Sequence, residues 1–515
     1  MLEAGVERRV RLAVWAISGA VAVGAFQALA AGRLELTFDE AYYALWSRSL
    51  AFGYLDHPPM VAFIIRASTD LFGDSEFGVR AFFLILVGAL PALIAWIAWR
   101  LFRSTETAAL AALLWIAMPL VLAGGVFATP DAPLVLFWTL GVAALVELWR
   151  TGHARWLLAL GLMLGLALES KFTGAFLAAG VALAFAATPS LRRWLRSPAS
   201  AAALAIALLV FSPFLVWNAE HGWATFLKQL GRAPPHGFAP SYVIEFAVAQ
   251  IGLLNPLVFA AFAAALAAVA WRAPAAPLSR AAGRRLIVST MAPAAAYFLA
   301  HALHDRVQAN WLAPLFPGCA IVAADWVAET RRKGARGLDR VIAAGALCAA
   351  PAGLIVTALA FVQAKTGVLP LGPLDPTARL EGFRDLTQDL DIEARAEGSS
   401  FVLAQDYALT SLMTYYGDPM LVVVQPGERI RWVFAPAPPE SLFAAPGLAI
   451  AEKGLRFDLV LKTRFRVVEP IGELTRRRAG APLQSYQLYR VADPFAPVLD
   501  PICPGELDLQ RRCRS

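Results

Sequence analysis

Charged side chains are scarce in this sequence: they make up 16% of its 515 residues, against 58% hydrophobic residues. With a mean hydropathy of +0.58, so few charges cannot cover an ordinary soluble surface. The composition therefore excludes a soluble globular protein and indicates a polytopic membrane protein. The net charge of +7 does not indicate nucleic-acid binding, because the basic residues fall between hydrophobic segments and not on one soluble face.

Cysteines and metal-binding strings are also rare. Of the four cysteines, Cys319 and Cys348 fall in apolar segments, whereas Cys503 and Cys513 share the C-terminal tail. In an oxidising compartment this second pair either forms a disulfide or stays free, and the sequence leaves both open. The one D-x-D string, "DLD" at 389–391, has charged neighbours and indicates solvated surface.

Long apolar runs predict about eleven transmembrane helices. They lie near residues 12–31, 81–102, 107–127, 132–149, 156–168, 172–187, 199–217, 242–270, 286–302, 311–328 and 341–361. The first run, preceded by "ERRVR" and ending in "ALAAG", also resembles a cleavable signal peptide. Its apolar stretch is long for that alternative, and cleavage would conflict with the loop charges downstream.

Loop charges predict the orientation of these spans. The connections that are inside when the N-terminus is cytoplasmic are rich in arginine, whereas the outside connections after spans 3, 5, 7 and 9 hold Lys171, Lys228, Arg232 and Arg306. An odd number of spans exports everything after about residue 361. We therefore predict a transmembrane catalytic domain at 1–361 and an extracytoplasmic domain at 362–515. Strand-like runs "SSFVLAQDY" and "MLVVVQP" flank a helical "ALTSLMTYYG", which predicts a small C-terminal α/β domain.

The first external loop, residues 33–80, is too polar to span a membrane and too apolar to be a free loop. The runs "AYYALWSRSLAFG" and "PMVAFIIRASTDLFG" carry aromatic and aliphatic residues at helical spacing, and each ends in glycine. We expect two amphipathic helices lying in the membrane interface. Thr37 and Glu40 form a capping-box pattern, which puts Asp39 in the first turn, near the end of the first span.

Other polar residues are expected at the same depth as Asp39. Charged groups beside hydrocarbon are costly and are usually functional when several converge. The set comprises Glu40, Asp56, His57, Arg80, Asp131, Glu169 and Lys171. Lys171 interrupts two short apolar runs in "LALESKFTGAF", which favours a functional residue over a snorkelling one.

Each of these residues also has a purely structural interpretation. Asp39 and Glu40 favour the positive end of a helix, and Asp131 in "ATPDAP" suits the start of a span. His57 stands before two prolines and can simply end a helix, while Arg80 can anchor the interface. The external loop "WNAEHGWATFLKQLGRAPPHGF" suits either a mobile flap over the site or an interfacial loop anchored by tryptophans.

Six motifs, in order, resemble those of the membrane-embedded GT-C glycosyltransferases. The branch they resemble contains protein O-mannosyltransferases and the lipid A aminoarabinose transferases (ArnT-like). The motifs are "LTFDEAYYALWSRSLAFGYLDHPPMVAFI", "FGDSEFGVR", "ATPDAPLVLFWTL", "LALESKFTG", "FSPFLVWNAEHGW" and "VQANWLAP". The resemblance covers roughly residues 8–330, and the C-terminal domain is similar only loosely to that of the bacterial aminoarabinose branch.

The resemblance implies a reaction at the outer face of a bacterial inner (plasma) membrane. A sugar passes from a polyprenyl-phosphate donor to a hydroxyl or phosphate group of an acceptor, with inversion at the anomeric carbon. Lipid A, another glycolipid, a polysaccharide and a protein all stay open as acceptors, with membrane lipids as surroundings. No cofactor or divalent metal is required, because the leaving group is a lipid phosphate and not a nucleotide diphosphate.

The resemblance also assigns roles to individual residues. Asp39 corresponds to the candidate general base, and Asp131 to a second acidic position that orients the acceptor. Lys171 matches a basic position that contacts the donor phosphate, with Arg80 and His57 as further candidates for that contact. The aminoarabinose branch has lysine in place of His57, so this contact depends on protonation. Four residues are assigned to support of the acceptor or the site: Glu40, Asp56, Glu169 and Asn310.

Acid–base chemistry is consistent with these residue types, because a hydroxyl nucleophile must lose a proton and a departing phosphate gains charge. The main alternative is a transporter or flippase for lipids or lipid-linked sugars. It is disfavoured by the absence of an evident inverted repeat and by polar residues gathered at one face. A polymerase or ligase of surface polysaccharide would share the compartment and the donors. A membrane-anchored binding module would not need eleven spans.

Overall fold

The structure is a computed structural model that describes residues 2–231, 237–271, 278–372 and 375–502. Cys503 and Cys513, for which the sequence leaves a disulfide and free thiols both open, lie outside these residues. The chain divides into two compact units. We call Met1–Leu29, Ala81–Val216 and Ala233–Thr357 the membrane unit, and Ala30–Arg80, Trp217–Arg232 and Ala358–Ser515 the second unit.

The apolar runs are helical, because a backbone in hydrocarbon must satisfy its own hydrogen bonds. The helices up to residue 366 are α1 (Leu2–Ala31), α2 (Phe38–Arg48), α3 (Met60–Phe72), α4 (Glu76–Phe102), α5 (Thr105–Ile116), α6 (Pro119–Gly124), α7 (Asp131–Thr151), α8 (Arg155–Ser170), α9 (Ala175–Ala187), α10 (Pro198–Glu220), α11 (Ala224–Leu230), α12 (Ser241–Leu254), α13 (Pro256–Trp271), α14 (Arg280–His301), α15 (Phe316–Arg332), α16 (Leu338–Leu347) and α17 (Ala349–Thr366).

Several of these helices are long enough to cross a membrane. Within the described chain, six helical stretches pass by length and apolar composition: most of α1, all of α4, α7, α10 and α17, and the stretch Ala309–Arg332 that contains α15. Helices α12 and α13 form a further, bent candidate. Helices α5 and α9 occupy predicted spans but are shorter. The polytopic membrane fold is therefore confirmed, while the number of eleven spans stays a prediction.

The predicted span near residues 242–270 is formed by two helices with a sharp bend between them. The chain bends by 107° between α12 and α13. Asn255 stands at the break with φ of 72°, in the left-handed region that ends a helix, and Pro256 begins the next one. The Asn255 amide donates hydrogen bonds to the carbonyls of Ala117 and Ala349, at 3.1 and 3.0 Å. These bonds hold the break between neighbouring helices, a feature that hydropathy does not reveal.

Small residues let the helices of the membrane unit approach closely. A Cβ atom on Gly161 of α8 would lie 2.2 Å from the Ala203 carbonyl oxygen of α10. A Cβ atom on Gly180 of α9 would lie equally close, 2.2 Å, to the Thr290 carbonyl oxygen of α14. Since association in lipid depends on close packing more than on hydrophobic burial, both glycines are structural requirements.

The first external loop forms the two predicted helices, α2 and α3. The capping box is confirmed: the Glu40 N–H donates to the Thr37 hydroxyl, and the Glu40 carboxylate accepts from the Thr37 N–H. Helix α3 ends at Gly73, whose φ of 84° suits glycine. The interfacial position of these helices stays a prediction.

The C-terminal residues form the predicted small α/β domain. Its helices are α18 (Phe383–Ala396), α19 (Tyr407–Tyr416) and α20 (Phe457–Lys462), and its strands are β1 (Phe401–Ala404), β2 (Val422–Val424), β3 (Gly447–Glu452), β4 (Phe465–Arg478) and β5 (Ala481–Pro494). The sheet order is β2-β1-β3-β5-β4, with β1 parallel to β2 and β3, and β5 antiparallel to β3 and β4. The predicted domain boundary after residue 361 lies close to the unit boundary at Thr357, but residues 33–80 cluster with this domain.

Candidate active site

Three separate elements of the membrane unit bring Asp131, Lys171 and Asn310 together. Asp131 opens α7 after Pro130, Lys171 follows the end of α8 in extended conformation, and Asn310 stands in a 3-10 helix. The Lys171 ammonium lies 2.7 Å from Asp131 Oδ1, and the Asn310 amide donates to Asp131 Oδ2 at 2.7 Å. Both oxygens of the carboxylate are therefore held, and its side chain is only 14% exposed.

An apolar cavity adjoins this group. Its volume is about 220 Å³, and Asp131 and Asn310 form part of its wall. The other lining residues are almost all apolar, including Leu120, Phe127 and Phe316. The arrangement offers a hydrocarbon-lined space whose polar end carries a carboxylate and an amide, with the ammonium bound to that carboxylate.

Glu169 is buried two residues before Lys171. Its Oε1 atom has no hydrogen-bond partner among the described residues. A buried carboxyl oxygen without a partner is costly in a core. The predicted supporting role of Glu169 stays a prediction, and the structure does not place Glu169 in a hydrogen bond with Lys171.

Asp39 lies in the first turn of α2, as the capping pattern predicts. The Tyr407 hydroxyl donates a hydrogen bond to Asp39 Oδ1 at 3.2 Å. Burial raises the pKa of Tyr407, and the charge of Asp39 raises it further, so the phenol stays protonated and able to donate. Asp39 is half-buried, and the carboxylate is therefore held in place while keeping access to solvent.

Glu40 and Arg80 form a fully buried ion pair, with both side chains 0% exposed. Arg80 Nε and Nη2 donate to the Glu40 carboxylate at 2.7 Å each. Its remaining N–H groups donate to the carbonyls of Ala31, Leu34 and Glu35. All five donors of this guanidinium are engaged inside the protein. This geometry gives the pair a structural role at the base of the first loop. The predicted contact of Arg80 with the donor phosphate stays a prediction.

Asp56 joins three segments of the second unit. Its carboxylate accepts from Lys228 of α11 at 2.6 Å and from Arg431 at 2.5 Å. Burial alone would raise the pKa of Asp56, but Arg431 and Lys228 outweigh it and hold the pKa at about 2. Asp56 is therefore ionised over the physiological range and connects the first loop to the external loop and the C-terminal domain.

His57, the remaining predicted phosphate contact, is half-buried. Its ring centroid lies 6.0 Å from that of Tyr43, and its backbone carbonyl accepts from the Tyr54 N–H. These contacts fix the turn before the two prolines. The predicted contact of His57 with phosphate stays a prediction.

Sequence reasoning missed Tyr407 and Arg431, which contact Asp39 and Asp56 from the C-terminal domain. Arg431 also lies over the Tyr407 ring, 4.2 Å from its centroid. No local motif marks either residue, since the contacts join positions more than three hundred residues apart. In the external loop, the structure places Lys228 against Asp56, while Arg232 and His236 lie outside the described residues.

The sequence does not predict a metal centre. In the described part of the chain, no three histidine, cysteine, aspartate or glutamate side chains converge in a way that suits a metal ion. The expectation that the reaction requires no metal stays a prediction.

The helical bundle with its small C-terminal sheet domain has the GT-C fold. Two crystal structures of ArnT from Cupriavidus metallidurans share it, one bound to undecaprenyl phosphate and one in the apo state. Each is 16% identical in sequence to this chain and superposes on it with a TM-score of 0.62. The match covers 95% of this chain in both cases. It covers 99% of the undecaprenyl phosphate complex and 98% of the apo structure. At this identity, the likeness establishes the fold.

Sequence comparisons point to the same group of proteins. Residues 56–217 match the family described as dolichyl-phosphate-mannose-protein mannosyltransferase. The chain is also 30% identical over 227 residues to the lipid A galacturonosyltransferase RgtD of Rhizobium johnstonii (strain DSM 114642 / LMG 32736 / 3841). That match spans 43% of this chain and 47% of the relative, about half the length of each. These findings confirm the resemblance to ArnT-like GT-C transferases predicted from the sequence.

Proposed function

We propose that this protein is an inverting glycosyltransferase of the bacterial inner membrane. It would move a sugar from a polyprenyl-phosphate donor to a lipid A-type acceptor at the outer face. The observation that carries the proposal is the Lys171–Asp131–Asn310 group beside an apolar cavity. A lipid phosphate has the matching chemistry, an apolar chain that ends in an anion.

The names of the relatives support both substrates. A relative acts on lipid A, and the structure with the same fold holds undecaprenyl phosphate, which is a polyprenyl phosphate. The apolar lining of the cavity in the membrane unit is consistent with a polyprenyl chain. A protein acceptor gains no such support.

The proposed reaction is a single displacement. The acceptor oxygen attacks the anomeric carbon from the side opposite the phosphate and forms the new glycosidic bond. The bond between the anomeric carbon and the phosphate oxygen breaks, and its electron pair leaves with the polyprenyl phosphate. The acceptor's hydroxyl proton passes to a carboxylate, and a cation meets the charge that develops on the leaving phosphate.

Two residues carry the chemical roles in this proposal. Asp39 accepts the proton, and the hydrogen bond from Tyr407 holds its carboxylate in one orientation. Lys171 meets the phosphate, exchanging part of its contact with Asp131 for the donor. Asp131, still held by Asn310, then has a free oxygen with which to orient an acceptor hydroxyl.

The test is transfer of radiolabelled sugar in liposomes that contain the purified full-length protein. A panel of polyprenyl-phosphate sugars serves as donors and lipid A as acceptor. We expect transfer by the wild type, a loss of about 10²–10⁴-fold in kcat for Asp39→Asn, and normal transfer for Asp70→Asn. Asp70 is a suitable control because it lies exposed on α3, paired with Arg66.

Substitutions of Lys171 separate binding from proton transfer. Lys171→Gln should raise the KM for the donor. Lys171→Arg should raise this KM less, because it keeps the positive charge. The control is Lys453→Gln, because Lys453 is exposed in an ion pair with Glu473. Absence of transfer from every donor would overturn the proposed reaction. Equal kcat for the wild type and Asp39→Asn would overturn Asp39 as the proposed base.

A further inference from the structure

A second cavity, of about 560 Å³, lies inside the second unit. Its wall combines the end of α2, one side of α19, strand β2 and the segment from Gln425 to Leu442. Its volume falls within the range of small-molecule sites. The residues placed in the proposed reaction do not line it.

Arg429 lines this cavity and is only 7% exposed. The Arg429 side chain makes no hydrogen bond, ion pair or ring contact with any described residue of the chain. Burial lowers its pKa, and no neighbouring carboxylate counteracts that effect. A buried cation without a counter-ion is strongly disfavoured in proteins.

The other buried arginines described in the second unit all have polar partners. Four of them contact a carboxylate: Arg80 with Glu40, Arg431 with Asp56, Arg464 with Asp500, and Arg478 with Asp375. The fifth, Arg476, donates hydrogen bonds to the carbonyl oxygens of Ala378 and Glu381. Arg429 departs from this pattern although Glu428 precedes it directly, because the Glu428 carboxylate bonds instead to Arg431.

The lining of the cavity is positively charged. Its described residues include two arginines, Arg48 and Arg429, and neither aspartate nor glutamate. The charge of Arg48 is already balanced, since its guanidinium lies 2.9 Å from the Asp74 carboxylate. The uncompensated charge in the wall is therefore that of Arg429.

The rest of the wall is mainly apolar. Trp432, Phe434, Leu442 and the prolines of the segment 435–439 provide flat hydrocarbon surfaces. The hydroxyls of Thr410 and Thr414 add a few polar atoms. A bare inorganic ion would leave these apolar surfaces uncovered, whereas a molecule with an acidic group and an apolar body would contact both parts.

We propose that this cavity binds a partly apolar molecule that carries a phosphate or carboxylate group, with Arg429 as the counter-ion of that group. The guanidinium presents paired N–H donors that suit either anion. The site is independent of the proposed transfer reaction and stands whether or not the protein transfers a sugar.

The experiment is ligand binding to the full-length protein in a non-ionic detergent, followed by saturation-transfer NMR of the ligand. The probes are phenyl phosphate, phenylacetate and the neutral benzyl alcohol. We expect both anions to bind more tightly than benzyl alcohol, and the tighter of the two identifies the preferred acidic group. Arg429→Gln should weaken binding of the anions about tenfold or more and leave benzyl alcohol unchanged.

The control is Arg456→Gln, because Arg456 is exposed in the same domain and pairs with Asp458. It should bind the anions like the wild type. Equal anion binding by wild type and Arg429→Gln would overturn the proposal. So would equal affinity of the wild type for the neutral and anionic probes, or no binding of either anion.

Thermal unfolding separates this role from a structural one. Without ligand, Arg429→Gln should unfold at the same temperature as the wild type or higher, because an uncompensated buried charge is removed. Phenyl phosphate should raise the unfolding temperature of the wild type and not that of the variant. Should Arg429→Gln fail to fold, Arg429→Lys provides the second test: it keeps the charge and should bind phenyl phosphate, more weakly than the wild type.

Discussion

Protonation of Asp56 is expected to destabilise the second unit, because its carboxylate holds two cations. Lys228 lies 2.6 Å and Arg431 2.5 Å from the carboxylate oxygens. The Asp56 side chain is 16% exposed, and those of Lys228 and Arg431 are 10% and 6% exposed. Water therefore screens this group far less than a surface pair.

The magnitude follows from the pKa of Asp56, which falls from 3.8 to about 2 in the folded protein. At about 1.36 kcal/mol for each pKa unit, the folded state gains roughly 2.5 kcal/mol from the ionised carboxylate. Because the folded pKa is lowered, this stabilisation is fully present above about pH 4. It is lost as the pH falls towards about 2.

The assay is thermal unfolding of the detergent-solubilised protein as a function of pH. Asp56→Asn should be less stable than the wild type at neutral pH, because Lys228 and Arg431 lose their counter-ion. The difference in free energy of unfolding between the wild type and Asp56→Asn should shrink by roughly 2.5 kcal/mol as the pH falls below about 4. Asp70→Asn is the control, since its exposed pair with Arg66 is worth about 0–1 kcal/mol. A gap between wild type and Asp56→Asn that is independent of pH would refute the reasoning.

Two further substitutions test packing by the same thermal measurement. Glu40→Gln leaves the Arg80 guanidinium buried without its carboxylate and should cost about 3–5 kcal/mol; an unchanged unfolding temperature would contradict a structural role for this pair. Gly161→Ala should cost about 1–3 kcal/mol, because its Cβ would lie 2.2 Å from the Ala203 carbonyl oxygen. Gly88→Ala is the matched control, since no atom lies within 4 Å of its added Cβ. Equal effects of the two alanines would argue against close helix packing at Gly161.

Local patterns were sufficient for much of the architecture. Apolar runs predicted the helices, because length and hydropathy are properties of contiguous residues. The Thr37–Glu40 capping box predicted the start of α2, since the cap joins positions three apart. Strand and helix patterns in the C-terminal region predicted β1, β2 and α19 for the same reason. The ordered motifs predicted the resemblance to ArnT-like transferases.

Helix breaks were less accessible to sequence reasoning. Residues 242–270 are predominantly apolar and predict one span, yet the chain bends by 107° at Asn255. The bend is stabilised by the carbonyls of Ala117, which directly follows α5, and Ala349, which begins α17. A hydropathy average over neighbouring residues does not detect such a break, because the partners that stabilise it are distant in the chain.

The roles of the charged residues depended on tertiary structure. The sequence identified Asp39, Asp56, Arg80, Asp131 and Lys171 as unusual, because charge beside hydrocarbon is costly wherever it occurs. Only the folded chain decided which partner each one has. Arg80 forms an ion pair with Glu40, whereas Asp56 forms one with Arg431, 375 positions away in the sequence. Composition and local spacing determine that a charge must be compensated, but the choice of counter-ion is a contact between distant residues, and packing alone specifies it.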